Sequence, residues 1–114
     1  MTDTPVYMIV QLDVTDMAAF MGEYADPLQA IHARHGVEVL VATGAPTVLE
    51  GQYDKSLTVI LKFASADVQK AWYADPDYQP LIRRRHELTN TDTSVALVVP
   101  HFFPDASLSK ETTS

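Results

Sequence analysis

Three ionisable side chains of this sequence, His32, His35 and Arg85, fall on helical stripes that otherwise carry apolar residues. From Tyr78 onward, steps of three and four select Tyr78, Leu81, Ile82, Arg85 and Leu88 as one face, and Arg83 and Arg84 fall off it as solvated charges. A guanidinium aimed at an apolar interior needs an anionic partner, because a buried unpaired charge is costly. Two partners are open: a carboxylate of the chain itself (Glu50, Asp13 or Glu23), or the carboxylate or enolate of a bound substrate. His32 and His35 stand about one helical turn apart, a spacing that serves one proton-transfer locus or the packing of a helix end. Two histidines without a third ligand at a recognisable spacing do not define a metal site, and none is expected. His86 and His101 join them only if folding brings them close.

Tyr24 and Tyr73 each precede an Ala-Asp-Pro sequence and so offer a hydroxyl at a helix interruption, or pack with that hydroxyl on water or backbone. The candidate site is therefore His32 and His35 as the groups that move a proton, with Arg85, Tyr24, Tyr73 and Glu50 contacting substrate. Trp72 shares its stripe with Val68 and Ala71 and reads as core. The sequence has no Gly-rich phosphate loop, nucleophile elbow, Ser-His-Asp pattern or dinucleotide fingerprint. No cofactor is expected, and catalysis would be acid/base or electrostatic.

The elements that must place these groups follow from periodicity. Val6 to Val14 alternates as a strand; Thr15 offers an N-cap for a helix through Met17, Phe20, Met21 and Tyr24. That helix must break or restart at Asp26-Pro27, and its second piece, with Leu28, Ile31, His32 and His35 on one face, ends at Gly36. Val37 to Ala42 reads as a strand that resumes at Thr47 to Glu50 after the turn at Thr43 to Pro46. Leu57 to Phe63 is a clear strand; Ser65 caps the next helix, and Asp75-Pro76 restarts it, with Asp75 as cap and Pro76 in the first position. Ser94 to Val99 is the last strand. Asp13 and Lys62, on the mixed faces of their strands, are placed to pair across the sheet. The order strand, helix, strand, strand, helix, strand is the split βαβ of an α+β ferredoxin-like domain, expected over residues 1–103, with 104–114 as a disordered tail. Tyr-Ala-Asp-Pro at both Tyr24 and Tyr73 makes the two halves echo each other.

At 114 residues the chain has room for one domain, and a net charge of -7 disfavours long-range attraction to nucleic acid or anionic membrane. The absence of cysteine removes disulfides and thiolate chemistry. With no bilayer-length apolar run and no secretion signal, a cytoplasmic location is the default expectation.

Val48 to Gly51 (Val-Leu-Glu-Gly), Leu61 to Ser65 (Leu-Lys-Phe-Ala-Ser) and above all Ala71 to Leu81 (Ala-Trp-Tyr-Ala-Asp-Pro-Asp-Tyr-Gln-Pro-Leu), with Arg85 after it, make the chain resemble a known family. It is similar, over about Val6 to Val99, to the bacterial domain-of-unknown-function family 1330 of the dimeric α/β-barrel superfamily. The resemblance implies a homodimer whose protomers pair through their sheets and whose open faces enclose a barrel-like cavity. Members carry a glycine-rich pair of turns around strand two, whereas Gly36 and Gly44 stand alone here. Neighbouring branches include muconolactone isomerases, cofactor-free monooxygenases, polyketide cyclases and haem enzymes, which implies small-molecule chemistry without fixing a reaction. Two functions follow as expectations: a cofactor-independent isomerase, lyase or cyclase acting on a small anionic or aromatic substrate, or a non-catalytic dimeric binding or stress-associated protein.

Overall fold

The computed structural model describes residues 4–103; the tail expected at 104–114 lies outside the described residues. Strand β1 (Val6–Leu12) buries every second residue, Val6, Met8, Val10 and Leu12, as its alternation dictates. It is flanked by β3 (Leu57–Phe63) and β4 (Val95–Pro100), and β2 (Glu38–Thr43) adds to the far side of β3, giving an antiparallel sheet in the order β2-β3-β1-β4. Residues 47–50, expected as a continuation of strand two, lie in irregular structure beyond β2. Lys62 does not pair with Asp13: its register neighbours are Tyr7 and Glu38, and Asp13 takes Lys55 at 3.4 Å and the Thr93 hydroxyl.

The first crossover begins with α1 (Met17–Phe20), capped by Asp16, whose carboxylate accepts the Ala19 amide at 3.1 Å. Thr15, expected as the cap, instead donates its amide and its hydroxyl to the Leu88 carbonyl. At Asp26-Pro27 the helix does not break. Met21–Ala25 widens into a π-helical turn, closed by the Asp26 amide on the Met21 carbonyl, and α2 (Asp26–His35) continues from it. Proline lacks an amide hydrogen and clashes with the carbonyl four residues back. The wider turn accommodates both defects without ending the helix. Gly36, at φ 65°, closes α2 in the left-handed conformation that glycine adopts at no steric cost.

The second crossover does break. Ser65 caps α3 (Ala66–Tyr73) by accepting the Val68 amide, and α4 (Gln79–Glu87) starts only at Gln79, with Pro80 in its first turn. Asp75 thus caps a turn rather than a helix, accepting the Asp77 amide on one carboxylate oxygen at 2.9 Å. Its other oxygen accepts Arg34 at 2.7 Å and His35 at 2.8 Å, tying the end of α2 to the α3–α4 turn. The expected inward stripe of α4 holds: Tyr78, Ile82, Arg85 and Leu88 are buried. Arg84 lies off it, paired to Glu23 and Glu87.

The core lies between the helices and the inner face of β1 and β3. Its largest fully buried side chains are Trp72, Tyr78 and Phe63, with ring centroids 4.6 Å apart for Trp72–Tyr78 and 5.0 Å for Phe63–Trp72. Tilted aromatic pairs at these separations add to their burial about 0.5–1.5 kcal/mol each.

The Asp75 clamp sets a pH signature. His35, the amide of Asp77 and Arg34 hold the Asp75 carboxyl down at about 2. A depressed carboxylate stabilises the fold fully above its ordinary unfolded value, and that contribution is lost as pH falls through about 2. Asp75→Asn is therefore expected to lower the thermal midpoint at neutral pH, and its deficit against wild type should shrink as acid titrates Asp75. A deficit of equal size at pH 7 and at pH 2 would show that the charge is not what clamps the turn.

Candidate functional site

Arg85 is 6% exposed and sits two helical turns after Tyr78, on the same buried stripe of α4. Its Nη1 donates to the Tyr78 hydroxyl at 3.0 Å and to the Tyr24 hydroxyl at 3.2 Å, and its Nη2 meets His86 Nε2 at 3.3 Å. Tyr73 stands beside this group, its ring edge-on to Tyr78 with centroids 5.9 Å apart. None of the carboxylates expected to pair with it does so. Glu23 is taken by Arg84, Asp13 by Lys55 and Thr93, and Glu50 is exposed in irregular chain; among the described residues no carboxylate lies within ion-pair distance of Arg85. Burial alone would drive the guanidinium toward its neutral form, but the Tyr24 and Tyr78 oxygens outweigh it and its pKa stays above the ordinary value. The result is a fixed positive charge, hydrogen-bonded yet not neutralised.

The phenols beside it are coupled. The Tyr24 and Tyr78 oxygens stand 2.5 Å apart, and burial, reinforced by Tyr24, pushes the Tyr78 phenol well above its usual range. Only one hydrogen fits between two oxygens at that distance, and Arg85 is a pure donor. The second phenolic hydrogen of the pair therefore has no acceptor within the cluster. Tyr24 reaches this position from the π-helical turn, so the irregularity near Pro27 also places its hydroxyl against Tyr78 and Arg85.

Arg85, Tyr24 and Tyr78 line one wall of a cavity of about 410 Å³ between the helices and the inner sheet face. The rest is mostly apolar: Met8, Val10 and Leu12 from β1, Val59 and Leu61 from β3, Phe20 and Leu28 from the first crossover. This cavity lies within the single chain and is distinct from the one that pairing through the sheets would enclose. Gly44 stands at its rim, where a Cβ would come within 2.7 Å of the Ser56 carbonyl, so this close approach of β2's end to the loop before β3 requires glycine. A smaller cleft of about 230 Å³ opens on the other side of Arg85, with Tyr73, His86, Thr91 and Ser94 among its walls.

The structure separates the two histidines. His32 is buried, lines the cavity, stacks on Trp72 with ring centroids 5.7 Å apart, and accepts the indole Nε1–H on Nδ1 at 3.1 Å. Burial lowers its pKa. His35 lies outside the cavity, spent on Asp75, so its expected proton-moving role has no support in the geometry. Glu50 borders neither opening. Of the expected set, Arg85, Tyr24 and His32 come together at the cavity, and Tyr73 lines the cleft that Arg85 also borders. The hydroxyl of Tyr78 and the indole N–H of Trp72 were missed as polar members. Tyr78 was legible, standing two turns before Arg85 on one stripe; Trp72 read only as apolar core. Among the described residues no cluster of three or more His, Asp or Glu side chains is placed to hold a metal ion, and no helix is long and apolar enough to cross a membrane.

The fold and site define an α+β ferredoxin-like domain with an apolar cavity closed by an arginine-tyrosine cluster. Residues 5–99 match the model of the domain of unknown function DUF1330, and the chain belongs to that family. Solved structures similar to it include the Rhodopseudomonas palustris protein RPA0582, of unknown function, with a TM-score of 0.72 at 15% identity over 90% of this chain and 85% of that one. SnoaB, a cofactor-independent oxygenase from Streptomyces nogalater, superposes with a TM-score of 0.60 at 18% identity over 92% of this chain and 97% of that one. A dimeric Bacteroides fragilis protein of unknown function and ferredoxin-like fold gives a TM-score of 0.58 at 14% identity over 85% and 96%. No curated protein matches the chain in sequence.

If Arg85 is kept for a ligand rather than for the fold, its removal should not unfold the protein. Replacing a buried charge that has no carboxylate partner by an apolar side chain of similar length relieves desolvation. Arg85→Met should melt within about 1 kcal/mol of wild type, or above it, in thermal or urea unfolding. A loss of more than about 3 kcal/mol, the cost of breaking a buried charge network, would make Arg85 structural.

Proposed function

We propose that this protein binds a small, largely apolar molecule carrying one anionic oxygen, and that it does so as a homodimer. The observation that carries the reading is Arg85: a buried guanidinium that no carboxylate among the described residues neutralises, on the wall of an apolar cavity of about 410 Å³. That volume falls in the range of about 300–1,000 Å³ typical of ligand sites. The anionic oxygen pairs with Arg85 and accepts the phenolic hydrogen left over by Tyr24 and Tyr78. A carboxylate, phenolate or enolate satisfies both.

The same donors favour any reaction in which negative charge builds up on that oxygen. Preorganised donors aimed at developing charge in a dry site are the strongest single source of catalysis. An isomerase, lyase or cyclase that passes through an enolate fits this set of groups. The description of SnoaB as a cofactor-independent oxygenase supports small-molecule chemistry on this fold. Pure binding of the same ligand class uses the same contacts and is the alternative.

Pairing is supported by the outer face of the sheet. Ile9 lies opposite Ile60 on one side and Leu97 on the other, with Val41, Val95 and Val99 extending the apolar surface. Leu97 is 48% exposed in the single chain. A sheet with one face on helices and an apolar second face needs a cover, and the Bacteroides fragilis neighbour is described as dimeric.

Two measurements decide these points. In calorimetric titrations 2-naphthoate should bind at least about tenfold more tightly than the uncharged naphthalene-2-carboxamide, a gap of roughly 1.4 kcal/mol, and Arg85→Met should erase the difference. Equal affinity for acid and amide in the wild type would sink the ligand reading. Light scattering at micromolar concentration should give twice the chain mass for wild type and a smaller species for Leu97→Asp; a wild-type monomer rejects the dimer.

A further inference from the structure

We propose that His32 is a hydrogen-bond donor of fixed tautomer, whose Nε2–H takes an uncharged carbonyl oxygen of the same ligand whose anionic oxygen Arg85 holds. This rests on the cavity reading above and narrows its ligand class to molecules with two oxygen functions, one anionic and one ketone-like.

The argument starts from Trp72. An indole nitrogen can only donate, so with Trp72 Nε1 at 3.1 Å from His32 Nδ1 its hydrogen must meet a lone pair there. Nδ1 is then unprotonated, and the single proton of the neutral ring sits on Nε2. Stacking on the indole at an interplanar angle of 18° holds the ring in that orientation. A second proton would have to go to Nδ1, where it would face another donor, and burial of the ring opposes the added charge as well. Among the described residues Nε2 has no partner, yet none of their buried side-chain nitrogens or oxygens is left unsatisfied. Nε2 therefore keeps accessible surface, and its ring lines the cavity.

A ring in this state cannot accept a proton on the nitrogen it presents, which argues against the role of general base expected from sequence. It presents a donor instead. The acceptor it meets should be uncharged, because Arg85 supplies one positive charge to the cavity and a second anion would stay uncompensated in an apolar enclosure. Trp72 touches both stations, stacking on His32 and packing on Tyr78 at 4.6 Å, so one rigid indole fixes the spacing at which the two oxygens are read.

The test uses two bicyclic acids of similar size: chromone-2-carboxylate, which carries a ring ketone, and 2-naphthoate, which does not. In calorimetric titrations the wild type should prefer the chromone by about five- to tenfold, the worth of one neutral hydrogen bond. His32→Phe should bring the ratio to about one whatever it does to the affinity for either acid alone, and His32→Gln, which keeps both an acceptor for Trp72 and an N–H donor, should restore part of the preference. Nitrogen-15 spectra of histidine-labelled protein at pH 7 should show His32 protonated on Nε2 alone. A ratio that is the same in wild type and His32→Phe, or a protonated Nδ1, overturns the inference while leaving Arg85 as anion anchor. If neither acid binds, the cavity reading fails and this inference falls with it.

Discussion

An ion inside an apolar core is the constraint around which this fold is arranged. Arg85 cannot shed its charge, and among the described residues no carboxylate lies within reach of it. It is kept soluble in the interior by oxygen dipoles: Tyr78 from its own stripe and Tyr24 from the facing helix. Dipoles satisfy the guanidinium's hydrogen bonds without cancelling its charge. Stability alone would favour a methionine or leucine at this position, a cost that the anion proposed above would offset.

The backbone irregularities serve the same arrangement. Pro27 forces a π-helical turn that sets Tyr24 against Tyr78, and the turn after Asp75 delays α4 until Gln79, which sets the phase of Arg85. Such departures from regular helix weaken the hydrogen-bond ladder and persist where surrounding contacts compensate. Here the compensation is Asp75, which joins Arg34 and His35 of one crossover to the turn of the other. The two crossovers are thus locked together on the side away from the cavity, and the cavity side is left to Trp72, His32 and the phenols.

The proposed dimer and the proposed site would use opposite faces of one sheet. The inner face of β1 and β3 lines the cavity, and the outer face carries Ile9, Ile60 and Leu97 toward the proposed partner. Alternation with period two makes both possible from the same seven-residue strands, and a one-residue slip would exchange them.

Much of this was legible before any coordinates. Alternation in Val6 to Leu12 and Leu57 to Phe63, the glycine stop at Gly36 and the inward phase of Arg85 are local properties, dictated by covalent geometry and repeat, and sequence alone determined them. The family followed from the motif at Ala71 to Leu81. Local reasoning erred where two solutions cost nearly the same: Asp-Pro at 26–27 was accommodated by a wider turn, Asp-Pro at 75–76 by a longer break. Partner choice was beyond it. Which carboxylate meets which cation depends on distances between segments dozens of residues apart, and only the packed chain showed that Asp75 takes His35, that Trp72 takes His32, and that Arg85 takes two phenols and no carboxylate.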